Sequence, residues 1–462
     1  MSIHFVGRER ELKKLNELYA TDNFQMAVIY GRRRVGKTTL INQFCKDKPT
    51  IFCVGIESTA KNNLENFSKV VWKWKGLENM PPFLSFEDLF SHVATLANEQ
   101  RLILVIDEYP YLAKADSSIS SIMQMYIDHS WKNSKLFLIL CGSSMSFMEH
   151  QVLGYKSPLY GRRTAQFKIS AFDYRDSSKM LPDFSKEEQA IFYGVTGGIP
   201  EYLKHISPGK SVRENLVELL FDDSGRLFEE PSNLLKQELR SPATYNAILT
   251  AIASGCSKQN EISTKVGIPT GGCSNLLTSL IELGIVVKEK PVGEISSRKT
   301  IYQIVDQMFR FWYQFVGPNT NMITAGYGDR VYDNFVAEQL SSFMGKVFER
   351  MSMDYLIHQA GTGQLPFFFN EIGSWWGGNP KTHQQEEIDI VAIGQNTMLL
   401  GECKWKNSLV EDSVLRKLVE RSALFPYERK YFYLFSKSGY THECSALAKA
   451  LGNVTLVEFK DM

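Results

Sequence analysis

Little in this chain points to an extracellular or membrane setting. Its seven cysteines, Cys45, Cys53, Cys141, Cys256, Cys273, Cys403 and Cys444, are scattered and form no C-x-x-C pair. That excludes a disulfide scaffold and a cysteine-built zinc site, and it fits reduced thiols. No apolar run approaches the ~20 residues needed to span a bilayer. The opening MSIHFVGRERELKKL is charged from Arg8 onward and lacks an apolar signal core. A cytoplasmic protein without a membrane partner is expected. A dominant charge of one sign is also missing, since 52 Lys and Arg against 51 Asp and Glu leave a net charge of +1. No global field draws the chain to nucleic acid, so any basic surface has to be local. Repeats and low-complexity tracts are absent too. What remains is ordinary globular material, 462 residues with 44% hydrophobic and 22% charged, enough for roughly two to four packed domains.

The rest of the chain is organised around Met26–Leu40, MAVIYGRRRVGKTTL. Ala27, Val28, Ile29 and Tyr30 read as a buried strand, and the residues from Lys37 onward read as a helix. Between them lies Gly31-Arg32-Arg33-Arg34-Val35-Gly36-Lys37-Thr38, with Thr39 next, which fits G-x-x-x-x-G-K-[ST] without a mismatch. Glycines let the backbone curl so that successive N–H groups point inward as a nest for phosphate. The helix that follows aims its positive end at the same anion. Lys37 can reach the β- and γ-phosphates, and the Thr38 hydroxyl can ligate Mg²⁺. Gly31 through Thr39 are the candidate nucleotide-binding residues, although spacing gives the three arginine side chains no role.

A second signal is Arg101-Leu102-Ile103-Leu104-Val105-Ile106-Asp107-Glu108. Its unbroken apolar run reads as a strand buried on both faces of a parallel sheet. The two carboxylates fall at the C-terminal end, where ligands of open α/β sheets collect. Asp107 is the candidate for the Mg²⁺ shell, and Glu108 for orienting the water that attacks the γ-phosphate. Lys135–Cys141 reads as another buried strand, ending in Gly142-Ser143-Ser144, where a polar side chain could sense the γ-phosphate. Pro158-Leu159-Tyr160-Gly161-Arg162-Arg163 offers loop arginines that could stabilise transition-state charge, in their own chain or in a neighbour, or simply be solvated.

Taken with Thr196-Gly197-Gly198-Ile199-Pro200-Glu201-Tyr202-Leu203 and FVGRERELKKL, these stretches resemble the AAA+-type P-loop ATPases of the archaeal-ATPase group, close to the signal-transducing STAND class. The resemblance covers about half of the chain. It implies ATP as the nucleotide and places Phe5, Val6 and the residues up to Glu9 near the adenine. It also implies that Ser143 or Ser144 is the sensor, that Arg162 is the finger candidate, and that Gly198-Ile199-Pro200 contacts nucleotide from a helical lid.

Lys186–Leu239 reads as the helices of that lid. Tyr245–Ala253, Gln259–Val266 and Asn275–Leu283 are three short helical patterns, the last two separated by Gly267 and Gly271-Gly272. Ile285–Lys290, the turn-rich Pro291–Ser297 and Thr300–Val305 then read as two strands and a loop, so that the whole is a winged helix-turn-helix arrangement. The helix from Cys273 would face a groove with Ser274, Asn275 and Thr278. Residues 241–305 hold six Lys or Arg and four Asp or Glu, a thin surplus for a DNA reader, and packing or protein contact is the plainer role. The aromatic Met308–Phe315 reads as a packing helix.

In the last third, Gly345–Glu349 sits in a helical pattern with Met353 and Leu356, and Trp375–Thr382 reads as a loop. Glu386–Ile393 and Met398–Trp405 then form a hairpin with Asp389 on one strand and Glu402-x-Lys404 on the next. Residues two apart share a strand face, so Glu402 and Lys404 point the same way and Asp389 can meet them. Two carboxylates there can hold Mg²⁺ while the lysine activates water or steadies developing charge. This constellation resembles the PD-(D/E)XK nuclease fold, with Ile388 standing where that family carries its proline. The resemblance adds Glu349, from the preceding helix, to the catalytic set.

The expected fold is α/β. A P-loop core spans 1–170, a helical lid 171–239, a winged helix 240–315, and a nuclease-like α/β domain 334–462. The expected function is ATP binding and hydrolysis coupled to a Mg²⁺-dependent nucleic-acid-cleaving domain, with DNA ahead of RNA as partner. The rival is an ATP-dependent switch or scaffold with an inert nuclease-like domain, working through a homo-oligomer or a protein partner.

Overall fold

The computed structural model describes residues 5–296, 299–380 and 382–462, so that Ser297 at the end of the expected wing turn and Lys381 within the expected 375–382 loop lie outside the described residues. The chain divides into two units, Met1–Phe172 with Ile199–Tyr202, and Asp173–Gly198 with Leu203–Met462.

The first unit is built on five strands, β1 (Gln25–Tyr30), β2 (Thr50–Val54), β3 (Leu102–Asp107), β4 (Leu136–Gly142) and β5 (Ala165–Lys168), in the order β2-β3-β4-β1-β5 and all parallel. Every residue of β1, β3 and β4 is buried. Uninterrupted apolar runs are what a parallel sheet covered on both faces demands. Met26, Val28 and Tyr30 face a core with Phe67, Val71, Leu89 and Phe90 from the helices Ala60–Trp74 and Phe86–Glu99. On the other face Phe44 and Tyr19 stack around Phe137. The P-loop NTPase architecture expected from the sequence is the one observed, and it puts β4 between the strand that feeds the phosphate loop and the strand that ends in Asp107.

The second unit begins with helices that include Lys186–Thr196, Val212–Leu220 and Glu230–Glu238. Three more, Pro242–Ala253, Gln259–Val266 and Thr270–Glu282, precede an antiparallel pair, β6 (Val286–Glu289) and β7 (Ile301–Ile304). Gly271 and Gly272 do not separate helices as expected but lie in the first turn of the third. There the N–H groups have no intrahelical partner, so the low helix propensity of glycine costs least.

A five-stranded mixed sheet follows, in the order β12-β11-β10-β9-β8. Its members are β8 (Glu371–Gly378), β9 (Gln385–Ile393), β10 (Thr397–Lys404), β11 (Arg429–Ser436) and β12 (Val454–Glu458). The pairs β8/β9 and β9/β10 are antiparallel, and β10/β11 and β11/β12 parallel. The expected loop at Trp375–Thr382 is corrected here, because Trp375 to Gly378 continue β8 and pair with Ile388 to Gln385. Tertiary pairing overrides the turn-forming glycines, and a register shift between Gly373 and Trp375 absorbs the irregularity. The loop after β6 packs on this edge: Pro291 and Val292 are buried, and Val292 N donates to Ser374 O at 3.1 Å. Among the described residues all seven cysteines are free, and no helix is long and apolar enough to cross a membrane.

Candidate functional sites

At the end of β1 the chain turns through Gly31, whose φ of 153° brings its Cα so close to β5 that an added Cβ would lie 2.1 Å from Ile169 O. Only glycine fits. Gly36, at φ 90°, starts the helix Lys37–Cys45. Lys37 is buried, and its Nζ donates to Gly31 O and Arg32 O, both at 2.9 Å. Burial holds its pKa below the ordinary lysine value. Thr38 Oγ1 donates to Asp107 Oδ2 at 2.8 Å, and Asp107 Oδ1 accepts from Glu108 N at 2.9 Å. Glu108 sits in the left-handed region at φ 50° and accepts from Ser143 Oγ at 3.0 Å and Ser143 N at 3.3 Å. Thr38, Asp107, Glu108 and Ser143 therefore form one hydrogen-bonded chain across the C-terminal ends of β1, β3 and β4. Of the two sensor candidates, Ser143 rather than Ser144 makes the contact. A hydroxyl beside a carboxylate is a hard-oxygen donor pair, the kind Mg²⁺ takes together with phosphate oxygens and water.

The loop's surroundings include residues that the motif did not reveal. Arg33 donates to the Tyr111 hydroxyl at 2.9 Å. Arg8 donates to Val35 O at 3.3 Å and to Ser170 O, with its guanidinium 4.6 Å above the Phe172 ring. Gly7 and Arg8 both take positive φ, which turns the segment after the half-buried Phe5 and Val6 toward the loop. Glu201 N donates to Arg34 O at 3.4 Å, and a Cβ on Gly36 would come 3.9 Å from Pro200 Cγ. Pro200 thus packs on the phosphate loop. Thr39 is exposed on the first helical turn.

Arg162 stands apart from this group. It grips Asp128 with Nε and Nη2 at 2.9 and 2.6 Å, and Nη1 donates to Pro158 O at 2.8 Å. The register Ala27↔Ala165 puts it off the N-terminal end of β5. The phosphate loop leaves the opposite end of β1, about 20 Å away at ~3.3 Å per residue. Arg162 and the phosphate loop therefore lie toward opposite ends of the parallel sheet.

In the second unit the helix Leu340–Gly361 buries Met344, Val347, Phe348 and Met351 and carries Glu349 beside the sheet. Lys346 Nζ bridges Glu349 Oε2 at 3.0 Å and Glu387 Oε1 at 3.1 Å. Asp389 Oδ2 accepts from Cys403 N at 2.8 Å, which ties β9 to β10 just beyond their last ladder pair, Gly401↔Ile390. Lys404 Nζ lies 2.6 Å from Glu402 Oε1, so the shared strand face expected for these two is present. Arg421 joins the group from the helix Asp412–Arg421, with Nε 2.8 Å from Glu386 Oε2 and Nη1 3.4 Å from Glu402 Oε2. Of the other basic residues near the hairpin, Arg416 pairs with Asp412 and Lys430 with Ser422 O.

Five carboxylates (Glu349, Glu386, Glu387, Asp389, Glu402) thus meet three cations (Lys346, Lys404, Arg421), and Arg310 also acts on Glu349. Burial, and then the neighbouring Asp389, push the Glu349 pKa up, and burial followed by Glu402 does the same to Asp389. Carboxylate oxygens are the donors a divalent cation prefers. Among the described residues no three Asp, Glu, His or Cys side chains close on one point as a ready-made metal cage. Lys346 and Glu386 were missed in the sequence because each acts through a tertiary contact. Only Lys346, three residues before Glu349, left a readable helical-pair signal.

Comparison with known proteins bears on both halves. Residues 5–206 match an ATPase domain found predominantly in Archaea, and residues 312–417 match a domain of archaeal and bacterial proteins of unknown function. An uncharacterized protein of Methanocaldococcus jannaschii is 33% identical over 443 residues, 94% of this chain and 95% of that protein. An uncharacterized ATP-binding protein of Pyrococcus abyssi is 25% identical over 240 residues, 45% of this chain and 71% of that protein. Among solved structures, a Walker-type ATPase of Pyrococcus abyssi superposes with a TM-score of 0.51 at 22% identity, covering 67% of this chain and 96% of that one. The last likeness bears on fold alone.

Proposed function

Since this chain belongs to the family of archaeal-type P-loop ATPases, we propose that it binds and hydrolyses ATP with Mg²⁺ and that its C-terminal domain cleaves nucleic acid under control of the nucleotide state. ATP binding is what the family does. The rest is argued from the two constellations.

In the N-terminal unit Lys37 and the loop from Gly31 to Thr39 hold the phosphates, and Thr38 and Asp107 are the residues to hold Mg²⁺. Bound there, the ion would neutralise phosphate charge. Glu108 orients the attacking water, and Ser143, bonded to Glu108, couples that carboxylate to the state of the γ-phosphate. Arg162 serves a neighbouring chain, which makes a homo-oligomer the active form. Phe5, Val6 and Pro200 border the nucleotide.

In the C-terminal domain Asp389 and Glu402 are the residues that would hold a divalent ion, which would supply charge neutralisation at the phosphodiester, with Lys404 to steady the developing charge and Glu349 to add a carboxylate from the helix. Duplex or single-stranded DNA is the favoured substrate, with the three helices and the β6/β7 pair acting as a winged-helix module beside it. One observation carries the nuclease reading: Asp389 is bonded to the main chain of the strand that bears Glu402 and Lys404, whose side chains pair at 2.6 Å.

The test is cleavage of DNA and RNA with Mg²⁺ or Mn²⁺, with and without ATP, by wild type, Asp389→Ala and Lys404→Ala. Cleavage lost in both variants is expected. Intact ATP hydrolysis with no cleavage under any condition would instead favour the switch reading, in which the domain is inert.

A further inference from the structure

The arginine side chains of the phosphate loop are not interchangeable. Arg34 takes a positive φ of 70°, and its guanidinium lies 5.8 Å from the centre of the Tyr202 ring. Arg33 goes to Tyr111 instead, where its Nη2 donates to the hydroxyl at 2.9 Å. These two residues stand 78 positions apart in the chain, so the fold and not the loop alone makes the contact.

Tyr111 is a fixed post. It belongs to the first turn of the helix Tyr109–Ala115, where its N–H donates to Glu108 O at 3.0 Å. Tyr109 and Leu112 of this helix are fully buried, and the Tyr109 hydroxyl shares a hydrogen bond of 2.6 Å with Ser120 Oγ. Pro110 presses on β4, since a Cβ on Gly142 would come within 2.8 Å of the proline ring. The helix starts directly after Glu108, the carboxylate bonded to Ser143. Whatever Tyr111 holds is therefore held beside the group proposed to orient the attacking water. Arg33 is also near Lys37: burial lowers the Lys37 pKa and the Arg33 charge adds to that effect, with Glu108 and Asp107 opposing it. Like charges brought together in this way gain when an anion joins them.

Resting on the reading of this loop as an ATP site, we infer that Arg33 binds the γ-phosphate in its own chain and that Tyr111 is the positioning residue for its guanidinium. A guanidinium carries five donors in a rigid planar fork. One can stay on the Tyr111 oxygen while others meet phosphate oxygens. The chain then prefers a nucleoside triphosphate to a diphosphate, because ADP brings no oxygen to this point. If Arg33 and Tyr111 only braced the loop, their loss would weaken both nucleotides alike.

The experiment is calorimetric titration of the full-length chain with ATPγS and with ADP. Arg33→Gln is expected to bind ATPγS about 10- to 100-fold more weakly, the range for a hydrogen bond to a charged group, and to keep its affinity for ADP. Tyr111→Phe retains the ring and removes only the hydroxyl, and it is expected to lose part of the triphosphate preference. Arg33→Lys should fall between Arg33→Gln and wild type. An unchanged ATPγS-to-ADP preference in Arg33→Gln, or equal losses for the two nucleotides, overturns the γ-phosphate role alone. A wild-type preference in Tyr111→Phe overturns the positioning role of Tyr111. Binding of neither nucleotide by the wild-type chain overturns the reading of the loop on which both rest.

Discussion

At the residue scale the roles proposed for Lys37 and Glu108 separate binding from turnover. The Lys37 ammonium bonds to the carbonyls of its own loop, positions that phosphate oxygens would take over. Lys37→Ala should therefore abolish binding of a fluorescent ATP analogue. Glu108→Gln keeps the loop intact and should preserve binding while lowering hydrolysis by about 10²–10³-fold, the range for a positioned base. A pH effect is expected elsewhere, at Asp354. Burial raises its pKa, with Arg350, 3.5 Å away, pulling it back. A carboxyl whose folded pKa exceeds its unfolded value near 3.9 favours the fold below that value. That contribution is lost as pH rises through the folded pKa. Asp354→Asn should thus gain thermal stability relative to wild type as melts move from pH 4 to pH 7. Residues within contiguous motifs were legible at this scale, as Lys37, Thr38, Asp107 and Glu108 show. The main-chain partners of Arg8 and the Asp128 partner of Arg162 were not, because they lie 27 or more and 34 residues away and no spacing rule links them.

At the scale of elements, close approach decides what is allowed. The helix Lys186–Thr196 crosses Leu340–Gly361 at Gly194, where an added Cβ would meet Met344 Sδ at 2.9 Å and Val347 Cγ2 at 3.0 Å. Methionine can yield more readily than the branched valine. Gly194→Ala should cost about 1–3 kcal/mol by urea unfolding. Gly328→Ala should cost more, since its Cβ would fall 1.6 Å from the main-chain oxygen of Phe221, which cannot swing aside. β1, β3 and β4 were readable as apolar runs because burial on both faces leaves no polar alternation, whereas the half-exposed β5, AQFK, left no such run and was not read as a strand. Trp375-Trp376-Gly377-Gly378 misled for the converse reason: glycines mark turns locally, and only the pairing partner Gln385–Ile388 makes them a strand.

At the scale of the molecule, the proposed action of Arg162 on a neighbouring chain would make ATP hydrolysis a property of an assembly. Lys37→Ala lacks the phosphate lysine but retains Arg162, and Arg162→Ala has the reverse defect. Each alone should be inactive, and a mixture should recover part of the wild-type rate, measured as phosphate release. Failure of every mixing ratio to recover activity would count against a finger acting in a neighbour. The parallel α/β core at the start of the chain was legible. The division of the chain was not: Ile199–Tyr202 belongs with the first unit although the residues on either side belong with the second.

The loop that follows β6 has one more consequence. By lying along β8, with Val292 bonded to Ser374, it covers the outermost strand of the mixed sheet. An uncovered edge is a template on which another polypeptide can add a strand. Shortening the 291–294 segment should therefore yield a chain that still binds ATP but self-associates into aggregates.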